Sequence, residues 1–197
     1  MKLVIATRNA HKLEEIRAIF NFQSLAVLSA FDFTDIPDVV EDGDTLEANA
    51  IKKAVTIATA TGYWALADDS GLEVAALGGA PGIYSARYAG EHCSYADNNE
   101  KLLRELAGKP DRSACFRTAI ALSDPEGNVR TVAGACPGKI IEALSGANGF
   151  GYDPLFVPDG YSETFAELDA ALKNRISHRA NALKKAHQAW GELLSSL

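Results

Sequence analysis

The stretch Trp64-Ala65-Leu66-Ala67-Asp68-Asp69-Ser70-Gly71-Leu72-Glu73-Val74 decides the fold class. Trp64 to Ala67 is a short apolar run, the mark of a buried strand. It stops at two adjacent carboxylates, then Ser-Gly, a turn signal. A polar turn at the carboxyl end of an interior strand is where open α/β sheets hold ligands. Two carboxylates side by side on a mostly buried edge are costly unless a positive group meets them. A divalent metal answers that need, and an oxygen-rich set suits Mg²⁺. A solvated turn, with Asp68 or Asp69 capping the next segment, fits the pair equally well.

On the N-terminal side, Lys2 to Ala6 reads as a buried first strand. A helix follows, with Leu13, Ile16, Ile19 and Phe20 at helical spacing and Glu14, Glu15 and Arg17 mostly opposite. Asn9 is a good N-cap, which puts Lys12 in the first turn. A lysine there opposes the helix dipole, and an anion resolves the misfit. Free N–H groups, the dipole, the Thr7 and Asn9 side chains and Lys12 make a phosphate cradle. A strand–helix turn with a solvated lysine is the plainer alternative. No Gly-x-x-x-x-Gly-Lys-Ser/Thr loop occurs. Leu25 to Leu28 is a second short strand, and residues 29–43 are irregular. Within them Glu41 is either a solvated loop acid or a third carboxylate for the Asp68–Asp69 site. A second helix starts near Asp44, with Asp44 or Thr45 as cap and Glu47 in its first turn, and ends near Gly62. Its apolar face is Leu46, Ala50, Ala54, Ile57 and Ala58. Asn49 lies beside that face; Lys52 and Lys53 lie off it.

On the C-terminal side, Gly78-Gly79-Ala80-Pro81-Gly82 is a tight turn cluster that matches no dinucleotide fingerprint. A third helix runs from about Ser94 to Ala107. Phe116 to Leu122 and Val129 to Ala135 form a hairpin across Asp124-Pro125-Glu126-Gly127-Asn128. In Asn148-Gly149-Phe150-Gly151-Tyr152-Asp153-Pro154 the rings alternate with glycines. Such a loop offers an aromatic face to a base, with Asp153 as polar anchor, or else tucks its rings into the core. The last helix starts near Lys173 to Ile176, and its first turn carries Lys173, Ser177, His178 and Arg179. Positive side chains thus crowd a second helix start, which strengthens the case for an anion site.

With 197 residues the chain is long enough for one well-cored domain, residues 1–197, whether or not it divides into lobes. A formal charge of −7 and a pI near 5.1 leave no basic face for nucleic acid, though local cations and a metal can still seat a polyanion. Cys93, Cys115 and Cys136 have neither zinc nor redox spacing and read as reduced thiols of a cytoplasmic protein. The N-terminal apolar run is too short for a signal peptide or a membrane span, so no membrane partner is expected.

Seven segments together carry a resemblance. They are Thr7-x-Asn9-x-x-Lys12, Glu41-Asp42-Gly43-x-Thr45, Asn49-Ala50, Asp68-Asp69-Ser70-Gly71-Leu72, Leu77-Gly78-Gly79-Ala80-Pro81-Gly82, Phe150-Gly151-Tyr152-Asp153-Pro154 and Ser177-His178-Arg179. In this order the chain resembles the inosine triphosphate pyrophosphatase family, its bacterial members above all. The resemblance implies an elongated α/β fold around a long mixed, twisted sheet flanked by helices, with a cleft between two lobes, and a homodimer. It implies Mg²⁺-dependent hydrolysis of non-standard purine nucleoside triphosphates (dITP, ITP, XTP, dXTP) to the monophosphate and pyrophosphate, which clears deaminated purines from the nucleotide pool. It also implies residue roles. Thr7, Arg8, Asn9, Ala10, His11 and Lys12 would grip the triphosphate. Glu41 and Asp69, with Asp68 close by, would hold Mg²⁺, and Asp69 would take the proton of the attacking water. Ser70 would touch substrate. Phe150, Gly151, Tyr152 and Asp153 would hold the nucleoside, and Lys173, His178 and Arg179 would complete the phosphate and base contacts. Arg8 stands where a small residue is common in the family, so its side chain either adds a phosphate contact or points to solvent. The segment before Lys173 lacks the family's frequent acids, which leaves open how that lysine is held.

The residues are compatible with that chemistry. A triphosphate brings about four negative charges, so an acidic protein needs a metal and local cations to accept it. No Ser/His/Asp or Cys/His set argues for a covalent intermediate. Two other readings share these residues: a hydrolase of standard or pyrimidine triphosphates, and a nucleotide-sensing module without turnover.

Overall fold

The computed structural model describes residues 2–20 and 25–196. The strands are β1 (Lys2–Ile5), β2 (Ala26–Ser29), β3 (Trp64–Val74), β4 (Ser113–Ser123), β5 (Val129–Ile140) and β6 (Phe156–Pro158). The α-helices are α1 (Ala10–Ile19), α2 (Leu46–Thr61), α3 (Tyr95–Glu105), α4 (Ala170–Ile176) and α5 (His178–Ser196). The fold is α/β, with one mixed sheet in the order β2-β1-β3-β4-β5-β6. β1 runs parallel to both neighbours, with Leu3 beside Val27 and Trp64. The short connection between β4 and β5 closes a hairpin, tied by the Asp124 N–H on the Asn128 carbonyl (3.2 Å). β6 pairs antiparallel with β5, Ile140 opposite Phe156. Among the described residues no helix is long and apolar enough to cross a membrane.

The chain divides into two compact units. One comprises Met1–Asp69, Thr118–Gly134 and Arg179–Leu197, the other Ser70–Arg117 and Ala135–His178. In the first unit the sheet carries helices on both faces, and the strands alternate accordingly. Leu3, Ile5, Leu66, Ile120 and Leu122 pack under α1 and α5 with Leu13, Ile16, Leu183, Ala186 and Trp190. The intervening Val4, Ala65, Ala67, Ala119 and Ala121 face α2 through Ala50, Ala54, Ile57 and Ala58. Large residues thus line one face and mostly small ones the other, which brings α2 close to the sheet. The second unit buries Leu72, Val74, Leu102, Leu106, Phe116, Tyr152, Phe156 and Phe165 around its own core. Phe116 and Phe156 meet edge to face at 4.7 Å.

Local signals set most helix ends. Asn9 caps α1 by accepting the Lys12 N–H (3.2 Å), and Thr45 caps α2 by accepting that of Ala48 (3.0 Å). Gly62 ends α2 in the left-handed region at φ 69°. Ser94 and Asp97 form a reciprocal capping box on α3.

Three expectations need correcting. β3 does not stop at Asp68 for a turn; it continues to Val74. Gly71 is there for close approach, because a Cβ would run into the Gly82 carbonyl, and the next N–H, of Leu72, bonds Ser85 Oγ at 2.8 Å. β5 extends five residues past Ala135 because β6 supplies a partner for Gly138 to Ile140. The last helix is two helices. Ser177 is extended (φ −64°, ψ 161°) and separates them, so Lys173 lies in the last turn of α4 rather than at a helix start.

Candidate active site

In the first unit, alternation along β3 sends the two adjacent carboxylates to opposite faces of the sheet. Asp68 follows Leu66 onto the α1/α5 face. Its Oδ2 accepts from Arg179 Nε (3.1 Å) and Nη2 (3.0 Å) and lies 3.3 Å from Lys12 Nζ. Arg179 opens α5 and also pairs with Glu15 of α1. All of Asp68 and Arg179 is buried. Burial alone would raise the Asp68 pKa, but Lys12, Arg179 and Lys53 overcome it and hold the carboxyl far below its usual range. Burial likewise opposes the Arg179 charge, and Asp68 and Glu15 more than restore it. Lys12 is lowered, first by burial and then by Lys53 and Arg179, against the pull of Asp68. The anion that Lys12 calls for at the α1 N-terminus is, in this structure, Asp68.

Asp69 follows Ala67 onto the α2 face. Its Oδ2 accepts from Asn49 Nδ2 (3.3 Å), and its Oδ1 lies 3.1 Å from Lys53 Nζ. Lys53 also donates to Glu41 Oε1 (2.6 Å) and to the Asp68 carbonyl (2.7 Å). Burial pushes the Asp69 pKa up, only partly offset by Lys53 and Lys12. Burial also works against the Lys53 charge, but Asp69 and Glu41 outweigh it and raise that group. The expectation of Asp68 and Asp69 as one paired site therefore fails on strand periodicity.

Among the described residues no group of three or more His, Cys, Asp or Glu is arranged as a metal site. The donor chemistry on the α2 face still fits Mg²⁺. Glu41 and Asp69 already converge on one small cation, the Lys53 ammonium, through oxygen atoms alone. Asp68, committed to Arg179 and Lys12, is not part of that set.

The remaining phosphate-cradle residues are mixed. Thr7 Oγ1 accepts the Asn9 N–H at 3.2 Å and shapes the turn. Ala10 and His11 are exposed. Arg8 reaches Asp38 and the Ile36 carbonyl, so its side chain is engaged by the irregular segment before α2.

In the second unit the glycine-rich loop separates its aromatics. Tyr152 is buried and donates to the Ser85 carbonyl (2.9 Å). Phe150 stays half-buried, 6.0 Å from the Tyr95 ring. Asp153 accepts from the Phe150 N–H (2.8 Å) and from Lys173 Nζ (2.6 Å). That answers how Lys173 is held, and it leaves the ammonium 5.0 Å from the centre of the Phe150 ring. Asn99 of α3 donates to the Gly151 carbonyl (3.0 Å) and steadies the same loop. His178 is buried with its ring stacked on Phe116 at 4.6 Å. Ser70, half-buried, opens the part of β3 that belongs to this unit.

Two groups escaped the sequence reading. Helical spacing puts Glu15 on the outer side of α1, and Lys53 off the apolar face of α2. The signal for Lys53 is present nonetheless: it follows Asn49 by four residues, on one stripe of a helix. Glu15 follows Lys12 by three, and nothing in the sequence says that Arg179 meets it.

The sequence profile of the Ham1 family matches residues 3–189. A dITP/XTP pyrophosphatase of Desulforamulus reducens is 51% identical over 195 residues, covering 98% of this chain and 97% of that protein. One from Geobacter sulfurreducens is 51% identical over 193 residues, covering 96% and 97%. Among solved structures, the Staphylococcus aureus Ham1 protein superposes with a TM-score of 0.87 at 42% identity, over 98% of each chain. A HAM1 protein from Coxiella burnetii superposes at 0.89 and 40% identity, over 98% of this chain and 99% of that one.

Proposed function

The chain belongs to the Ham1 family, and from that premise we propose that it hydrolyses dITP, ITP, XTP and dXTP to the nucleoside monophosphate and pyrophosphate. The observation that carries the reading is the convergence of Glu41 and Asp69 on one cation, within electrostatic reach of Lys12 in the first turn of α1. The named relatives supply the substrate class.

Residues of the first unit serve the phosphates. Lys12, with the positive end of the α1 dipole, binds the polyphosphate and stabilises the pyrophosphate as it leaves. Asp68, fixed by Arg179, positions the Lys12 ammonium. Glu41 and Asp69 would hold Mg²⁺, which when bound supplies positive charge against the phosphate oxygens. Water attacks the α-phosphorus and the bond to the bridging oxygen breaks. The electron pair leaves with pyrophosphate, and the water proton passes to Asp69. Asp69 suits this better than Asp68 because burial raises its proton affinity, whereas Lys12 and Arg179 suppress that of Asp68 despite burial.

The glycine-rich loop serves the nucleoside. The Phe150 ring is the stacking face, and the Lys173 ammonium beside it is a donor suited to a 6-oxo group. An adenine 6-amino group would face donor with donor, a mismatch worth orders of magnitude in rate. A homodimer in the cytoplasm completes the proposal; light scattering on the purified protein tests the dimer.

The experiment is pyrophosphate release from dITP, XTP, dGTP and dATP, with and without Mg²⁺. Fast, metal-dependent release from dITP and XTP alone is the expected result. Equal release from all four would keep the hydrolysis and discard the selectivity. Binding without release would overturn the enzymatic reading.

A further inference from the structure

Lys53 does not behave as a surface lysine of α2. Its side chain is 11% exposed, against 42% for its neighbour Lys52. The ammonium has three protons and meets three oxygens: Glu41 Oε1, the Asp68 carbonyl and Asp69 Oδ1. Those accepting oxygens are the ones assigned above to Mg²⁺, apart from the Asp68 carbonyl.

We propose that Lys53 is a resident counter-cation, which holds Glu41 and Asp69 together and is displaced when a divalent ion enters. The inference rests on the reading that these two carboxylates take the metal. Two carboxylates brought this close would repel each other without a cation. An ammonium meets oxygens at hydrogen-bond distance, whereas Mg²⁺ needs them at about 2.0–2.1 Å, so both cannot share one centre. The flexible four-carbon stem lets the ammonium leave while its backbone stays on α2.

The oxygens keep their places by a second tie. Asn49 donates to Asp69 Oδ2, and its own Oδ1 accepts the Gly43 N–H at 2.8 Å. One amide thus fixes both the Asp69 carboxylate and the segment that carries Glu41. Gly43 permits this, since a Cβ there would lie 2.8 Å from Asn49 Oδ1. The site is therefore shaped by Asn49 and neutralised by Lys53, two separable jobs on one helical stripe.

The test uses Mn²⁺ alone, without nucleotide. Wild-type protein is briefly acetylated with and without Mn²⁺, and each lysine is read by mass spectrometry, with Lys52 as internal control. Manganese binding to wild type and to Lys53→Met is measured by electron paramagnetic resonance. The expected result is that Mn²⁺ exposes Lys53 but not Lys52 to acetylation, and that Lys53→Met binds Mn²⁺ about tenfold more tightly, the scale of removing one nearby like charge. If Mn²⁺ binds wild type while Lys53 stays protected, displacement is overturned and the metal reading stands. If Mn²⁺ binds neither folded protein, both fall. Should Lys53→Met fail to fold, the wild-type footprint decides alone.

Discussion

Phe150 and Tyr152 are two residues apart, yet they do opposite work. The Tyr152 hydroxyl is spent on the Ser85 carbonyl inside the core, whereas the Phe150 ring stays half open beside Lys173. We predict that Phe150→Ala raises KM for dITP several-fold with little change in melting temperature, measured by steady-state kinetics and thermal melts. An unchanged KM would make the ring a packing residue. Tyr152→Phe should leave KM alone and cost about 1 kcal/mol, the net worth of one hydrogen bond. Asp68 and Asp69 divide in the same way. Asp69→Asn is predicted to lower kcat by at least about hundredfold, the scale of a lost general base, with the fold retained. Asp68→Ala should instead destabilise by about 3 kcal/mol or more, because it strips the buried Arg179 of a partner. Near-wild-type turnover in Asp69→Asn, or an unaltered melting temperature in Asp68→Ala, would reverse the assignment.

β3 and α2 explain what could be read from the sequence and what could not. The caps at Asn9, Thr45 and Ser94, the stop at Gly62 and the turn at Asp124 to Asn128 are local chemistry, so the elements they bound were legible. The course of β3 was not, because Ser70-Gly71 has the composition of a turn. Only the approach of the Gly82 carbonyl, eleven residues on, explains why a glycine belongs inside that strand. The same limit applies at the candidate site. Lys12, Glu41, Asp69, Phe150 and Lys173 stand out by residue type near a turn or helix start. Lys53 and Glu15 look like solvent-facing charges until the facing element is known. Two outcomes test the elements. Thr45→Ala should cost about 1 kcal/mol by uncapping α2. Gly71→Ala should lower the melting temperature more, since its Cβ meets backbone that cannot yield; a change no larger than that of Thr45→Ala would mean the strand relaxes around it.

For the molecule as a whole, a net charge of −7 makes acidity the natural variable. Several surface carboxylates, exposed or half-buried, are bound into turns and caps. Asp97 accepts from the Ser94 hydroxyl and N–H, Asp124 from the Asn128 side chain and N–H, and Glu167 from Ser145 and the Thr164 N–H. In each case the side-chain hydrogen bond is the larger cause, and it holds the carboxyl below its ordinary value. A depressed folded pKa means that the unfolded chain binds protons first as pH falls. The stabilisation is therefore whole above the ordinary value of 3.8 for Asp97 and Asp124, and it drains away as pH drops through the lower folded values. Asp69 works in the opposite sense, since burial raises it and protonation relieves that strain. A single melting curve mixes both effects, so the prediction concerns differences. Between pH 6 and pH 3 the melting temperature of Asp97→Asn should fall less than that of wild type, and the double variant with Asp124→Asn less again. Loosening of the Asp97 cap also bears on the proposed nucleoside site, because α3 carries Asn99, which holds the Gly151 carbonyl next to Phe150. Protection against amide exchange at the start of α3, taken relative to the intrinsic rate at each pH, should fall below pH 4 in the wild type. Equal acid sensitivity in wild type and both variants would show that these caps do not govern the molecule's response to pH.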